Sequence, residues 1–253
     1  MTTASANTVI VDRSDPRAAI VRLNRPRSLN ALNEPMLTAL ENALSAVERA
    51  DDVSAVVLAG YGRAFCAGND LHEIGVDAMS RVRRMHALML RLQEFPKIVV
   101  AAISGYALGG GLEIAMACTF RTAESGALLG LPEIKLNLIP GFGGTQLLPR
   151  LVGEQRALDM LLSGEPVDAS TALTMGLVDS VSVSDPIDAA LRLLARFPAV
   201  DSPAQQAIRA AVRRGARLDL AEALDIERDL VRGISIGEAG RQSVEHFRKR
   251  DRP

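Results

Sequence analysis

Cysteine and histidine are scarce in this chain of 253 residues, which contains two cysteines and three histidines. Two cysteines do not make a disulfide framework, and they suit a reducing cytoplasm. The histidines form neither an H-E-x-x-H motif nor a paired cluster, so the usual spacings of metal ligands are missing. We therefore expect a cytoplasmic protein with no disulfide framework and no metal site.

Long runs of one chemical character are also missing. The formal net charge is -1 and no long basic run occurs, which argues against a nucleic-acid partner. No apolar run reaches the roughly 18 residues of a membrane span, and the start, MTTASANTVIVDRSD, has no basic region before an apolar core. The composition is that of an ordinary globular protein, with 48% hydrophobic and 23% charged residues. We expect a soluble chain with neither a membrane span nor a secretory signal.

Short β-rich runs alternate with helical periodicities in the first part of the chain. Strands are predicted at 8–13, 18–24, 53–60 and 97–105, and helices at 35–50 and 80–95. The runs VSAVVLAG and KIVVAAISG are apolar almost throughout, which is typical of strands buried on both faces. This alternation predicts an α/β fold built from right-handed crossover units.

Helical patterns dominate the later part of the chain. We predict a core domain over residues 1–190 and a C-terminal helical region over 191–253, introduced by the segment FPAVDSP. The helical region is long and apolar, and a single domain would leave part of it uncovered. Homo-oligomerisation is therefore expected.

The stretch GYALGGGLEIAMAC, residues 105–118, places three glycines and one carboxylate at the start of an apolar helix. The first N–H groups of a helix have no intrahelical acceptor and carry partial positive charge. Glycine lets a ligand approach them, so the turn can hold an anion or a carbonyl oxygen that gains charge. Glu113 follows Gly110 by three residues and shares its side of the first turn. Close packing at the glycines, with Glu113 as a partner of the helix dipole, is an equally open interpretation.

Two further stretches carry polar groups near glycines. GRAFCAGND (62–70) follows a predicted strand, and the carboxyl ends of such strands are where open α/β sheets bind ligands. It offers the backbone N–H of Asn69 as a second donor. LGLPEIKLNLIPGFGGTQLLPRLVG (129–153) carries Glu133 ahead of another glycine cluster. Neither glycine cluster fits G-x-G-x-x-G or a phosphate loop ending in G-K-[ST], which argues against nicotinamide and ATP sites.

Four stretches, taken in order, resemble the enoyl-coenzyme A hydratase/isomerase (crotonase) family: NRPRSLNALN, AFCAGNDL, SGYALGGGLEIAMAC and LPEIKLNLIPGFGGTQ. The resemblance runs from about residue 9 to 180 and continues more loosely to the end. It implies a crotonase-type spiral of repeated β-β-α units with a C-terminal helical region. It also implies an acyl-CoA thioester substrate, no separate cofactor, and a homotrimer or dimer of trimers.

The same resemblance assigns roles to individual residues. The backbone N–H groups of Asn69 and Gly110 would form an oxyanion hole for the thioester carbonyl, and Glu113 and Glu133 would be the two catalytic glutamates of the hydratases. Contacts to coenzyme A and substrate would come from Arg27, Ala67, Gly68, Asn69, Asp70, Leu71, Gly109 and Gly110. In the family the C-terminal tail reaches a neighbouring subunit's coenzyme A, and of that pattern this chain retains Phe247 and basic residues such as Arg250.

The reaction is less narrowly specified than the fold, because this family hosts many reactions. Hydration of a trans-2-enoyl-CoA needs an activated water at C3, a proton for C2 and a stabilised enolate. Two carboxylates and a pair of backbone donors supply these needs, so we predict an enoyl-CoA hydratase, which is a hydro-lyase. An isomerase or another acyl-CoA reaction on the same oxyanion hole is an alternative, and family isomerases typically depend on the glutamate at the Glu133 position. A non-catalytic acyl-CoA-binding protein is a third, although it would have no obvious use for two glutamates. A serine peptidase of related spiral fold would need a G-x-S-x-G nucleophile at a strand-to-helix turn and a histidine partner. The one match to that motif, GISIG at 233–237, follows a predicted helix rather than a strand.

Three smaller expectations concern single positions. Cys66 has no accompanying histidine motif and is expected to be a small buried hydrophobe. Arg81, Arg83 and Arg84 are expected to form a solvated helix face. Asn137 stands where the family commonly has glycine, and asparagine tolerates the left-handed backbone conformation better than most residues.

Overall fold

Two β-sheets organise the larger part of the chain in the computed structural model, which describes residues 7–73, 77–197, 202–235, 241–242 and 245. The strands are β1 (Val9–Asp12), β2 (Ala19–Leu23), β3 (Ala55–Gly60), β4 (Ile98–Ile103), β5 (Tyr106–Leu108), β6 (Phe120–Glu124), β7 (Leu128–Gly130), β8 (Val167–Asp168) and β9 (Ser180–Ser182). The larger sheet has the order β1-β2-β3-β4-β6-β9, and the smaller has the order β5-β7-β8. In the larger sheet every neighbouring pair is parallel except β1 with β2. The buried strands predicted at 53–60 and 97–105 are therefore confirmed, at the centre of this sheet.

The chain visits the two layers in turn. β4 in the larger sheet is followed by β5 in the smaller one, and β6 is followed by β7. The segments after β2 and β3 are too short to form regular strands, but they extend the second layer through two parallel bridges, Leu32 with Asn69 and Cys66 with Ala107. Each repeated unit thus contributes one extended segment to each layer and then a helix. This is the β-β-α arrangement predicted from the sequence.

The described residues also form nine α-helices. They are α1 (Glu34–Glu48), α2 (Ala78–Gln93), α3 (Gly110–Ala117), α4 (Gly144–Val152), α5 (Glu154–Ser163), α6 (Ala169–Thr174), α7 (Pro186–Leu194), α8 (Pro203–Gly215) and α9 (Leu220–Ser235). The start of α1 shows why the sequence folds this way, since the Asn33 side chain accepts a hydrogen bond from the Met36 N–H at 3.1 Å and Pro35 lies in the first turn. No helix in the described part of the chain is long and apolar enough to cross a membrane.

Helix α2 is fixed to α1 by arginines that the sequence pattern placed in solvent. The Arg81 side chain is only 5% exposed and forms ion pairs with Glu34 and Glu73. Arg84 pairs with Glu34 and Glu41. The expected solvated face is therefore wrong for Arg81 and Arg84, because acidic residues on neighbouring elements draw both side chains inward. Those acidic partners cannot be predicted from the sequence of α2 alone.

The chain divides into two compact units, residues 1–198 and 199–253. The sequence placed the division at residue 190, and the difference arises because α7 packs against β3, β4 and β6 in the first unit. In the second unit α8 and α9 pack against each other and leave apolar side chains such as Ile208 and Val231 exposed. Phe247 and Arg250 lie outside the described residues.

Candidate active site

The glycine-rich turn before α3 serves both packing and exposure of the backbone. All eight residues of α3 are buried. A Cβ on Gly111 would lie 2.2 Å from the carbonyl oxygen of Cys66, so only glycine allows this approach between α3 and the second layer. Gly110 is the first helical residue, and its N–H belongs to the first turn, where no intrahelical acceptor exists. The close-packing interpretation is correct for Gly111, and it leaves Gly110 available to a ligand.

The backbone N–H of Asn69 is directed toward the same place. The Leu32 N–H donates to the Gly68 carbonyl at 2.8 Å, and the Asp70 N–H donates to the Leu32 carbonyl at 2.9 Å. Because successive N–H groups of an extended segment point in opposite directions, the Asn69 N–H points away from Leu32. A Cβ on Gly68 would lie 3.5 Å from the Gly110 nitrogen. The segment that carries Asn69 and the start of α3 that carries Gly110 therefore lie close together.

Glu113 is buried, with 1% of its surface exposed, and one of its oxygens is fully engaged. Oε1 accepts hydrogen bonds from the Phe142 N–H at 2.8 Å and the Gly144 N–H at 2.7 Å. The pKa of Glu113 is raised to about 7, chiefly by burial; the nearby Glu133 carboxylate contributes to the increase and the two N–H donors oppose it. The group is thus able to hold or release a proton near neutral pH.

Glu133 approaches Glu113 from a short 3-10 helix, Pro132–Leu136. Its Oε1 lies against the glycine turn, since a Cβ on Gly109 would come within 2.8 Å of it. Its Oε2 is buried without a hydrogen-bond partner among the described residues, and burial raises the pKa of this carboxyl too. The 3-10 helix ends at Asn137 with φ at 57°, which confirms the left-handed conformation expected there. An unpartnered buried carboxylate oxygen indicates a place for a polar ligand or a water.

A cavity of about 270 Å³ brings the predicted site residues together. Both glutamates line it, as do Ala67, Gly68, Asn69, Leu71, Gly109 and Gly110. Arg27 is exposed and Asp70 pairs with Arg25; neither is among the described residues that line the cavity. The rest of the wall was not predicted from the motifs and includes Arg81, Val82, Leu136, Leu138, Ile139 and Phe142. Most of these side chains are apolar, so the cavity suits a hydrocarbon chain next to a polar reacting group.

Cys66 has no part in this chemistry. Its side chain is buried, and burial raises the pKa of the thiol to about 12. A thiol in that state is a poor nucleophile. The expected small buried residue is confirmed.

Comparison with known proteins gives matches over most of the chain. Residues 16–253 match the family model described as enoyl-CoA hydratase/isomerase. The chain is 37% identical over 248 residues to a 2,3-dehydroadipyl-CoA hydratase of Escherichia coli, covering 97% of each protein. It is 37% identical over 227 residues to a short-chain-enoyl-CoA hydratase of Clostridium acetobutylicum, covering 87% of each.

Solved structures extend the agreement to the fold. An enoyl-CoA hydratase from Bacillus anthracis superposes with a TM-score of 0.88 at 33% sequence identity, and the match covers 97% of this chain and 98% of that one. The predicted crotonase-type fold is confirmed. The chain therefore belongs to the enoyl-CoA hydratase/isomerase family.

Proposed function

We propose that this protein is an enoyl-CoA hydratase, which adds water across the 2,3 double bond of a trans-2-enoyl-CoA to give a 3-hydroxyacyl-CoA. One observation carries the proposal: Glu113 and Glu133 face the same cavity beside the glycine turn. Two carboxylates at one place allow a single water to be activated for addition to C3 and a proton to be delivered to C2. Coenzyme A enters as part of the substrate, and the proposed chemistry uses no separate cofactor.

The thioester carbonyl would accept hydrogen bonds from the backbone N–H groups of Asn69 and Gly110. As water adds to C3, the electrons of the double bond move toward that carbonyl and give an enolate. Donors that are already oriented stabilise the enolate oxygen without reorganisation, and removing one such donor typically costs about 10²–10³ in rate. Asn69 and the glycine turn thus supply the hydrogen-bond donors of the proposed site, and the two glutamates supply its acid–base groups.

The two glutamates would divide the proton transfers. A pKa of about 7 lets Glu113 accept a proton near neutral pH, and the two N–H donors on its Oε1 stabilise the charged form that does so. We assign to Glu113 the proton taken from water while the water oxygen bonds to C3. Glu133 has a raised pKa and an oxygen with no partner among the described residues, so it carries the proton that is delivered to C2. Mutual repulsion of the two carboxylates favours a pair that shares one proton.

Two other functions use the same geometry differently. A double-bond isomerase would move a proton with Glu133 alone and would leave Glu113 without a chemical role. A binding protein would need the two N–H donors and neither glutamate. The burial of Glu113 with two dedicated donors favours the hydratase, because an ionisable group at 1% exposure is costly unless it is used.

The direct test is an assay of the purified protein with short, medium and long trans-2-enoyl-CoA esters. We expect loss of the conjugated thioester absorbance and formation of the 3-hydroxyacyl-CoA, identified by mass spectrometry. A parallel assay with trans-3-enoyl-CoA esters measures isomerisation. Isomerisation without hydration would contradict the proposal in favour of the isomerase, and tight acyl-CoA binding without either reaction would favour the binding protein. A cytoplasmic location and a trimer or dimer of trimers stay predictions alongside this one.

A further inference from the structure

A histidine outside the proposed catalytic pair contacts the loop that holds Glu113. Nε2 of His86, on α2, lies 2.9 Å from the carbonyl oxygen of Gly141. A carbonyl oxygen only accepts hydrogen bonds, so Nε2 carries the proton and donates it. The side chain itself is exposed, and no role follows for it from the sequence motifs.

The carbonyl of Gly141 and the N–H of Phe142 belong to one peptide group. That N–H donates to Oε1 of Glu113 at 2.8 Å. Because a peptide group is planar, fixing the direction of its carbonyl also fixes the direction of its N–H. A donor on the carbonyl further polarises the group and strengthens the N–H as a donor. His86 is thus connected to the Glu113 carboxylate through a single peptide group.

The hydrogen bond from His86 restrains a glycine-rich loop, which needs such a restraint more than a stiff segment would. It contains Gly141, Gly143 and Gly144, and glycine loses more conformational freedom on ordering than any other residue. Helix α2, by contrast, is firmly anchored, because Met85 and Met89 are buried in the core and its arginines pair with α1. The histidine therefore projects from an anchored helix onto a loop that lacks intrinsic stiffness.

We propose that His86 is a positioning residue for the reaction, which holds the Gly141–Phe142 peptide so that its N–H keeps the Glu113 carboxylate oriented toward the cavity. The inference rests on the proposed hydratase function for its kinetic consequence. It does not depend on that function for the hydrogen-bond geometry. His86 itself has no contact with the reacting atoms in this scheme.

The kinetic test compares His86→Leu, which removes the donor, with His86→Gln, whose amide N–H has a similar reach. Arg83→Gln is the matched control, since Arg83 is also exposed on α2 and is not among the described residues lining the cavity. We expect His86→Leu to lower kcat for hydration by about twofold to tenfold, in keeping with one net hydrogen bond. KM and the melting temperature should change little, His86→Gln should recover most of the rate, and Arg83→Gln should match the parent.

A double-mutant cycle separates positioning from a general structural effect. If His86 acts through Glu113, then His86→Leu should lower the residual rate of a Glu113→Gln variant by much less than it lowers the parent rate. An equal factor in both backgrounds, or no recovery by His86→Gln, would overturn the proposal.

A second measurement does not require turnover. The carboxyl signal of Glu113, assigned by its absence in Glu113→Gln, can be followed by infrared difference spectroscopy or carbon NMR during a pH titration. The groups that face it are Glu133 and the N–H groups of Phe142 and Gly144. Weakening the Phe142 donor disfavours the charged form, so His86→Leu should raise the pKa of Glu113 above the parent value. An unchanged titration would refute the positioning role, whereas a parent protein without hydratase activity would refute only the proposed function.

Discussion

Arg25 holds Asp70 from 45 positions away in the sequence. Its Nη1 and Nη2 atoms each lie 3.0 Å from Oδ2 of Asp70, and the Asp70 carboxylate also accepts a hydrogen bond from the His72 N–H at 3.2 Å. Burial opposes ionisation of this carboxyl, but the His72 N–H and the Arg25 guanidinium hold its pKa below the usual value. Asp70 directly follows Asn69, so the ion pair stabilises the segment that presents one of the two proposed oxyanion donors.

Breaking this pair should impair turnover through the position of Asn69. We expect Arg25→Gln and Asp70→Asn each to lower kcat/KM for hydration by about tenfold, less than the loss of a whole donor. Because both changes break one contact, the double variant should be little worse than either single variant. Arg13→Gln, in an exposed ion pair with Asp52, serves as a control that should leave the rate unchanged. Additive losses would show that Arg25 and Asp70 act separately.

The two glutamates should behave as a unit. Glu113→Gln and Glu133→Gln retain size and hydrogen-bonding capacity while removing the carboxylate, and each should lower kcat for hydration by about 10²–10⁴ with little change in coenzyme A binding. The double variant should be far from additive, because both groups act on one water. Steady-state kinetics of the three variants provides the measurement. Full hydration activity in Glu113→Gln would contradict the proposed catalytic role of Glu113.

The raised pKa of Glu113 has a consequence for stability. The ordinary value for this group is 4.5 and the folded value is about 7, so between these pH values the folded chain binds more protons than the unfolded chain. The free energy of unfolding therefore falls as pH rises through this window, and the loss is complete above it. Glu113→Gln lacks this term and should gain on the order of 1–3 kcal/mol relative to the parent at pH 8 compared with pH 4.5. Denaturant unfolding at the two pH values measures the difference, and an equal effect at both would contradict the burial argument.

Gly109 should not tolerate even a methyl group. Its φ of 49° lies in the range that L side chains rarely adopt, and an added Cβ would come within 2.8 Å of Oε1 of Glu133. Gly109→Ala should cost about 1–3 kcal/mol of stability from backbone strain and should also lower kcat by displacing Glu133. Gly126→Ala is the matched control, since a Cβ there would meet nothing within 4 Å. Thermal unfolding and hydration kinetics, measured on both variants, distinguish strain from general intolerance of alanine.

The parts of the fold that follow from local pattern were predictable. The apolar runs that became β3 and β4, and the periodic segments that became α1 and α2, carry their signal in consecutive residues. Glu113 and Gly110 were also predictable, since they lie three residues apart and helix geometry relates them. The contribution of Arg81 was not, because its burial depends on Glu34, which lies 47 positions away.

Most of the residues that position the site could not be predicted from the sequence either. Phe142 reaches Glu113 through its backbone N–H, a group that every residue except proline possesses, so its side chain gives no clue. His86 contacts a carbonyl 55 positions away and belongs to no motif. Only the packing of α2 and the glycine loop beside each other reveals such contacts. For Arg25 a signal did exist, because it lies within the NRPRSLNALN stretch that carried the family resemblance.

The second layer of strands also helps to bring the two N–H donors of the proposed oxyanion hole close together. The parallel bridge between Cys66 and Ala107 holds the segment that leads to Asn69 beside the segment that leads to Gly110. Neighbouring strands lie about 4.7–4.9 Å apart. Two N–H donors at that separation can each lie about 2.9 Å from one oxygen placed between them, the usual length of such a bond. The ordinary spacing of two neighbouring strands is therefore compatible with two backbone donors that share one oxygen, and no side chain has to provide it.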